Sequence, residues 1–328
     1  MLILFLLYYP PLSINLIDGK LGQIMKYTLK QVAVFDAVAS QESVSAAARK
    51  LSMTQSAVSM SLSQFENVLD RPLFIRQGNR LTLSHWGRWL RPKAKRLLQD
   101  AQQIEYGLHD QQIISGTFTL SVSQTFAEHL LPELISKIDT DFPELRIELT
   151  VENTEHVVDG IINHDHEMGI IEGRNDDSRI HQENLFEDHL VVISSSFHPY
   201  AKHKSVNMAQ LEQAQWILRE PGSGTRHIFD GAVHGLIDNV DVYKEYESVS
   251  VIKALVKNGT YLGCLPYLDA AEDVKKGTLV VLPTPDLNMS RNIALIWRKD
   301  VGENPLRTCI ISEAKRLTNA YKKRQNLG

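Results

Sequence analysis

Apolar positions recur at helical spacing near the start of the chain. Leu29, Val32, Phe35 and Val38 fall on one side of a predicted helix, and Thr28 and Gln31 stand at capping-box spacing to open it. Ser43 can cap a second helix that turns Ala47, Ala48 and Leu51 inward, Ser52 and Met53 make a turn, and Thr54 can cap a third helix. On that third helix Val58, Leu62, Phe65 and Leu69 form the buried stripe, and Gln55, Ser56, Ser59, Met60 and Ser63 form the opposite face. Two short helices joined by a tight turn have the plan of a helix-turn-helix, although the pattern alone also fits an ordinary helical hairpin. Pro72 to Arg76, the Gln77-Gly78-Asn79-Arg80 turn and Leu81-Thr82-Leu83 then read as strand, turn and strand, a wing. Beyond it Leu90, Ala94, Leu97, Ala101, Ile104 and Leu108 alternate by four and three, a seam that could pack on the chain's own core but whose narrowness and phasing favour a self-associating helix. Pro92 should kink that helix or mark the start of its regular coil.

After Ser115-Gly116 the pattern changes. Strand-like Phe118–Val122, helical Thr125–Asp139, strand-like Leu145–Val151, helical Val157–Ile162 and the apolar run Met168–Ile171 follow one another. The alternation continues through Leu190–Ile193, Trp216–Leu218, the helix Val249–Lys257 and the strand Asn292–Trp297. An α/β body with a parallel-rich sheet is expected.

Charge separates these two parts. Residues 26–110 hold twelve Lys and Arg against seven Asp and Glu, while residues 111–328 hold twenty-two against thirty-one. Between Asp70 and Asp100 there is no acidic residue, yet Arg71, Arg76, Arg80, Arg88, Arg91, Lys93, Lys95 and Arg96 all fall there. Phosphates are the partner such a run suits, and only the head should meet nucleic acid. With 328 residues the chain can bury a substantial core, and its two cysteines, Cys264 and Cys309, provide no disulfide framework. A cytoplasmic compartment is expected. The apolar run Leu2–Tyr9 ends at Pro10-Pro11, short of the ~20 residues a spanning helix needs, and it lacks the flanks of a secretory signal. Translation is expected to start at Met25, leaving 1–24 outside the folded protein.

The Ala47-Ala48 to Leu51 helix, the Gln55-Ser56-Ala57-Val58-Ser59 segment backed by Phe65-Glu66, and Leu73-Phe74-Ile75-Arg76 running on to Leu81-Thr82 together resemble the DNA-binding end of LysR-type transcriptional regulators. Where many members carry Arg at the position of Met60 and basic residues near Ser63 and Gln64, this face is uncharged. The resemblance implies a winged helix-turn-helix at 25–84, a linker and dimerisation helix at 85–114, and an effector-binding domain at 115–328 that resembles a periplasmic binding protein. Its two subdomains would cover about 117–189 with 291–328, and about 190–290, the chain crossing near 190 and 290. DNA contacts are assigned to Gln55, Ser56, Ser59, Met60, Ser63, Arg76 and Arg80.

In open α/β sheets, ligands sit beyond the carboxyl ends of strands, where helix N-termini offer amides. Three turns qualify: Ser123-Gln124-Thr125, the stretch Arg219 to Arg226 containing Gly222-Ser223-Gly224-Thr225-Arg226, and Ser248-Val249-Ser250. The set is similar to the subgroup that includes regulators of carbon fixation and of sulfur assimilation. A small anion, an oxyanion or small carboxylate, is the expected effector. The Gly-Ser-Gly turn lacks the Lys and length of a P-loop and does not match a nucleophile elbow, and the chain carries no evident catalytic set or cofactor fingerprint. His164-Asp165-His166-Glu167 reads as a polar turn in preference to a metal site, and Cys264 as a buried small residue. The leading expectation is a ligand-responsive regulator that binds promoter DNA as a homodimer or homotetramer, with no membrane, metal or cofactor. The alternative is an enzymatic or solute-binding α/β domain tethered to DNA.

Overall fold

The computed structural model of the protein describes residues 26–77, 80–108 and 114–325. The segment expected as a leader lies outside them. The chain divides into two compact units between residues 99 and 100.

The first unit contains α1 (Leu29–Gln41), α2 (Val44–Lys50), α3 (Gln55–Leu69), β1 (Phe74–Gln77), β2 (Arg80–Leu83) and the start of α4 (His85–Leu108). The three caps are those the sequence predicts. Thr28 and Gln31 close a capping box, and the Ser43 and Thr54 hydroxyls accept from Ala46 N and Ala57 N at 3.3 and 3.2 Å. Each such cap contributes about 1 kcal/mol. Phe35, Val38, Ala47, Val58, Leu62 and Phe65 form the core. Leu29, expected on the buried side, is instead half exposed, because it begins α1 ahead of the turn that meets the core. β1 and β2 pair antiparallel as the expected wing. The Glu66 carboxylate fixes it to α3, accepting from Leu73 N at 2.6 Å and Phe74 N at 3.2 Å. Gly87 allows the close approach of α4, since a Cβ there would stand 2.1 Å from the Leu73 carbonyl oxygen.

Helix α4 runs from His85 to Leu108 with Pro92 inside it. The four–three seam is divided in its use. Ala94 is buried in the head's own core, and Leu90 and Leu98 pack beside it, whereas Leu97 is exposed. Ala94 is thus corrected from a partner-helix contact to an intrachain one, and Leu90 stays partly exposed. The side chains of Ile104 and Leu108 lie outside the described set.

The second unit runs β3 (Gly116–Val122), α5 (Gln124–His129), α6 (Leu131–Asp141), β4 (Leu145–Val151), α7 (Thr154–Ile162), β5 (Met168–Glu172) and β6 (Ile180–Ser195). It continues with α8 (Met208–Glu212), β7 (Gln215–Arg219), α9 (Gly224–Val233), β8 (Asp241–Tyr246), α10 (Val249–Asn258), β9 (Leu262–Pro266), α11 (Tyr267–Lys275), β10 (Leu279–Leu282), β11 (Ser290–Arg298) and α12 (Pro305–Gln325). The single helix expected over 125–139 is two helices. Pro132 supplies no amide and would crowd the carbonyl four residues back, and the chain breaks at Leu130.

The strands follow the order β4-β3-β5-β11-β6-β9-β7-β8, with β10 also on β6. β4, β3 and β5 are mutually parallel, as are β8, β7 and β9. Between these two parallel sets the chain runs antiparallel. β6 pairs with β11 along Ile180–His189 and with β9 along Leu190–Ile193. The expected parallel-rich sheet is therefore corrected to a mixed one, because the two crossings near 190 and 290 are themselves strands. Separate cores lie in the two halves: Phe118, Leu120, Phe126, Ile138 and Leu295 in subdomain I, and Trp216, Leu218, Phe229 and Leu262 in subdomain II.

Candidate effector site and DNA-reading face

Gln55 and Ser56 stand in the first turn of α3, and Ser59, Met60 and Ser63 follow on the same side; all five are exposed. Short side chains there leave room for a helix to approach base edges, and Met60 is the exposed apolar residue on this face. The side chains of Arg76 and Arg80 lie outside the described set. Of the other basic residues, Arg71 sits 5.3 Å from the Trp86 ring, and the Lys93 ammonium lies 4.2 Å from that of Trp89. Arg91 turns inward to Asp36 and Ser40. Lys95 is half-buried, and burial first and the Arg91 charge next lower its pKa to about 8. The basic run is thus divided between the surface and the α1–α4 junction.

In the body, the strand–turn–helix connections deliver Ser123 and Thr125 from subdomain I and Ser223 and Thr225 from subdomain II, all buried. The residue that joins the two sides is Arg291, at the start of β11, with a fully buried side chain. Its Nη1 donates to Thr225 Oγ1 at 2.9 Å and its Nη2 to Thr125 Oγ1 at 3.1 Å. Its charge is met by Glu172 at 2.6 Å and Asp188 at 2.7 Å. Glu172 also accepts from the Thr125 amide at 2.8 Å, so the chain's own carboxylate holds the helix N-terminus expected to face an anion. Burial opposes charge on Glu172, but Arg291 and the Thr125 hydrogen bonds outweigh it and keep its carboxyl below the usual range. Burial likewise opposes the Arg291 charge, and the two carboxylates prevail and hold its pKa up. Among the described residues, the buried Ser123 hydroxyl has no hydrogen-bond partner.

Subdomain II closes onto subdomain I beside this cluster. Glu155 N donates to the Gly222 carbonyl at 3.1 Å, and a Cβ on Gly224 would lie 2.2 Å from the Glu172 carbonyl oxygen, so the turn needs glycine there. Gly222 itself has φ +88, a left-handed value that glycine adopts at little cost. A cavity of about 390 Å3 opens between Thr154, Glu172, Gly222, Ser223 and His227.

Of the expected site residues, Thr125 and Thr225 bond to Arg291, and four others bond locally. Gln124 bonds along its helix to Glu128 at 2.8 Å. Arg226 turns to Asp230, Glu245 and the Arg219 carbonyl. Ser248 caps α10 at Val251 N, and its hydroxyl meets that of Ser250 at 2.8 Å. In each of these four the polar group finds a partner within its own subdomain, and Arg226 also lines the cavity. Conversely, Arg291, Glu172 and Asp188 are absent from the residues that sequence reasoning selects. Their signal is a charge at the boundary of an apolar strand, next to the expected crossings. Cys264 is buried in β9 as expected, where burial pushes its thiol up to about 12, and the His164–Glu167 stretch forms a turn ahead of β5.

Residues 29–88 match the bacterial regulatory helix-turn-helix protein model of the lysR family, and residues 111–316 match the LysR substrate binding domain. The uncharacterized HTH-type transcriptional regulator YeiE of Escherichia coli K12 is 34% identical over 84% of this chain and 91% of its own. The probable RuBisCO transcriptional regulator of Trichormus variabilis is 27% identical over 83% of each. A full-length OxyR variant from Pseudomonas aeruginosa shares the fold at a TM-score of 0.69, with 19% identity over 89% of this chain and 94% of that one. No helix among the described residues is long and apolar enough to cross a membrane. Both relatives are named as transcriptional regulators, which favours the regulator reading over the tethered-enzyme alternative. The chain belongs to the LysR family of DNA-binding transcriptional regulators with an effector-binding domain.

Proposed function

We propose that the body senses a small oxyanion or small carboxylate at Arg291, between its subdomains, and that occupancy alters how a homodimer or homotetramer holds promoter DNA in the cytoplasm. The observation that carries this reading is a single buried guanidinium reached by threonine hydroxyls from both subdomains, Thr125 and Thr225. A ligand touching both would favour one hinge state, and its effect on DNA is bounded by its differential affinity for the two states. The unpartnered Ser123 hydroxyl supports a polar ligand.

The charge of the site narrows the ligand class. Arg291 already faces two carboxylates, so an entering anion adds a third negative charge. Either Glu172 leaves the Thr125 amide, or the ligand brings a proton that it donates to Glu172. An oxyanion that retains an acidic proton, such as hydrogen sulfite or hydrogen phosphate, satisfies that condition better than a fully deprotonated one. On DNA, Gln55 and Ser56 read base edges, and Arg76 and Arg80 hold phosphates.

Calorimetry on the full chain with sulfite, sulfate, phosphate and acetate tests the site. At least one anion should bind saturably, and Thr225→Val and Ser123→Ala should each weaken it. Undiminished affinity in both variants would remove this site from consideration.

A further inference from the structure

A second cluster bridges the subdomains. Helix α5 carries Glu128 and His129, and the first turn of α11 carries Asp269. His129 Nε2 lies 2.5 Å from Asp269 Oδ1, and one ligand-capable atom from each of the three residues lies within 4.8 Å of the others. Asp269 is 4% exposed, and among the described residues its Oδ2 is buried with no partner. A dry carboxylate oxygen without a donor is costly, and a cation is what relieves it. The nearby Lys253 ammonium is committed elsewhere: Nζ donates to the Asp269 backbone carbonyl at 2.8 Å and pairs with Asp273 at 3.1 Å.

One imidazole and two carboxylates form a mixed nitrogen and oxygen donor set that suits zinc and its first-row neighbours. A divalent ion would balance the two carboxylate charges. Glu128 and His129 are exposed and leave a fourth position to water, as in open zinc sites. Tetrahedral bonds of about 2.0–2.2 Å place ligand atoms roughly 3.4 Å apart. To reach that value the His129–Asp269 pair opens from 2.5 Å and Glu128 draws in, both by movements of the two exposed side chains.

We propose that Glu128, His129 and Asp269 bind a divalent transition cation of the zinc class, which clamps subdomain I to subdomain II at α5 and α11. The clamp and the Arg291 site act on the same pair of subdomains, so metal and effector would alter each other's affinity by the same factor.

The test uses the full chain, stripped with a chelator and titrated with ZnCl2 by calorimetry, with Co2+ absorption as a spectroscopic readout. The expected result is one saturable site, a Zn2+-dependent rise in melting temperature, and a visible Co2+ band. Glu128→Gln and His129→Ala should each weaken Zn2+ at least about tenfold, the loss that even an outer-shell change can bring. Glu128 is an exposed helix residue, so its variant keeps the test decisive even where Asp269→Asn fails to fold. No saturable Zn2+ binding, or equal affinity in the parent and both folded variants, would overturn the proposal.

Discussion

Replacing Glu172 by Gln separates an internal stand-in for the effector from a residue that merely supports the fold. Glu172 occupies both groups that an entering anion needs, the Thr125 amide at 2.8 Å and the Arg291 guanidinium at 2.6 Å. A Gln side chain keeps the size and one acceptor but removes the charge. An anion bound about 6 Å from that carboxylate, at an effective dielectric constant of about 20, is repelled by roughly 3 kcal/mol. Removing the repulsion should tighten anion binding by up to about a hundredfold. The same change deletes a buried charged hydrogen bond, so the protein should lose roughly 1–3 kcal/mol of stability. Tighter binding by a less stable protein is the diagnostic combination, because loss of structure alone would weaken the ligand. Asp188→Asn removes an equal charge while leaving the Thr125 amide taken, and should tighten binding less. Calorimetry with the best anion, paired with denaturant unfolding of each variant, measures both quantities. If folded Glu172→Gln binds the anion no better than the parent, Glu172 does not stand in the ligand's place.

The remaining predictions concern the head and linker. Leu97→Asp puts a charge on the exposed part of the α4 seam and should dissociate the oligomer and lower operator affinity; sedimentation showing an unchanged oligomer would move the interface elsewhere. Gln55→Ala should relax sequence preference, whereas Arg76→Ala should weaken all duplexes alike and lower the salt slope by about one unit. Equal losses on operator and random DNA for Gln55→Ala would contradict its role as a base reader. The folded pKa of Lys95, about 8, lies below its ordinary value, so the unfolded chain binds more protons between them and stability should rise with pH through that window. Lys95→Gln should raise the melting temperature at pH 7 and flatten the rise between about pH 8 and 10; an unchanged pH profile would show that Lys95 is solvated.

The sequence discloses what local chemistry decides. Thr28, Ser43 and Thr54 cap the helices they are expected to open, because a cap depends on residues three positions apart. Thr125 and Thr225, which meet at Arg291, each stand at a strand-to-helix turn, a feature readable from periodicity. Arg291 is not readable in this way. Its partners Asp188 and Glu172 are 103 and 119 residues away in the chain, and they meet only through the antiparallel pairing of β11 with β6 and β5. Arg226, closer in sequence to the turn, is the more obvious cation, but one helical turn along lies Asp230, which claims it. The α4 seam departs from expectation for a related reason. Spacing identifies an apolar stripe, whereas its partner depends on tertiary contacts, and the head's own core covers Ala94.

The most direct measurement is anomalous diffraction from crystals of the full chain grown with selenite or selenate in place of the lighter oxyanions. The account predicts a selenium peak between the subdomains, with its oxygens within hydrogen-bonding distance of Thr125, Thr225 and the Arg291 guanidinium, and with Glu172 either displaced from the Thr125 amide or accepting a hydrogen bond from the protonated anion. A bound selenium oxyanion elsewhere in the body, with Glu172 still on that amide, would contradict it.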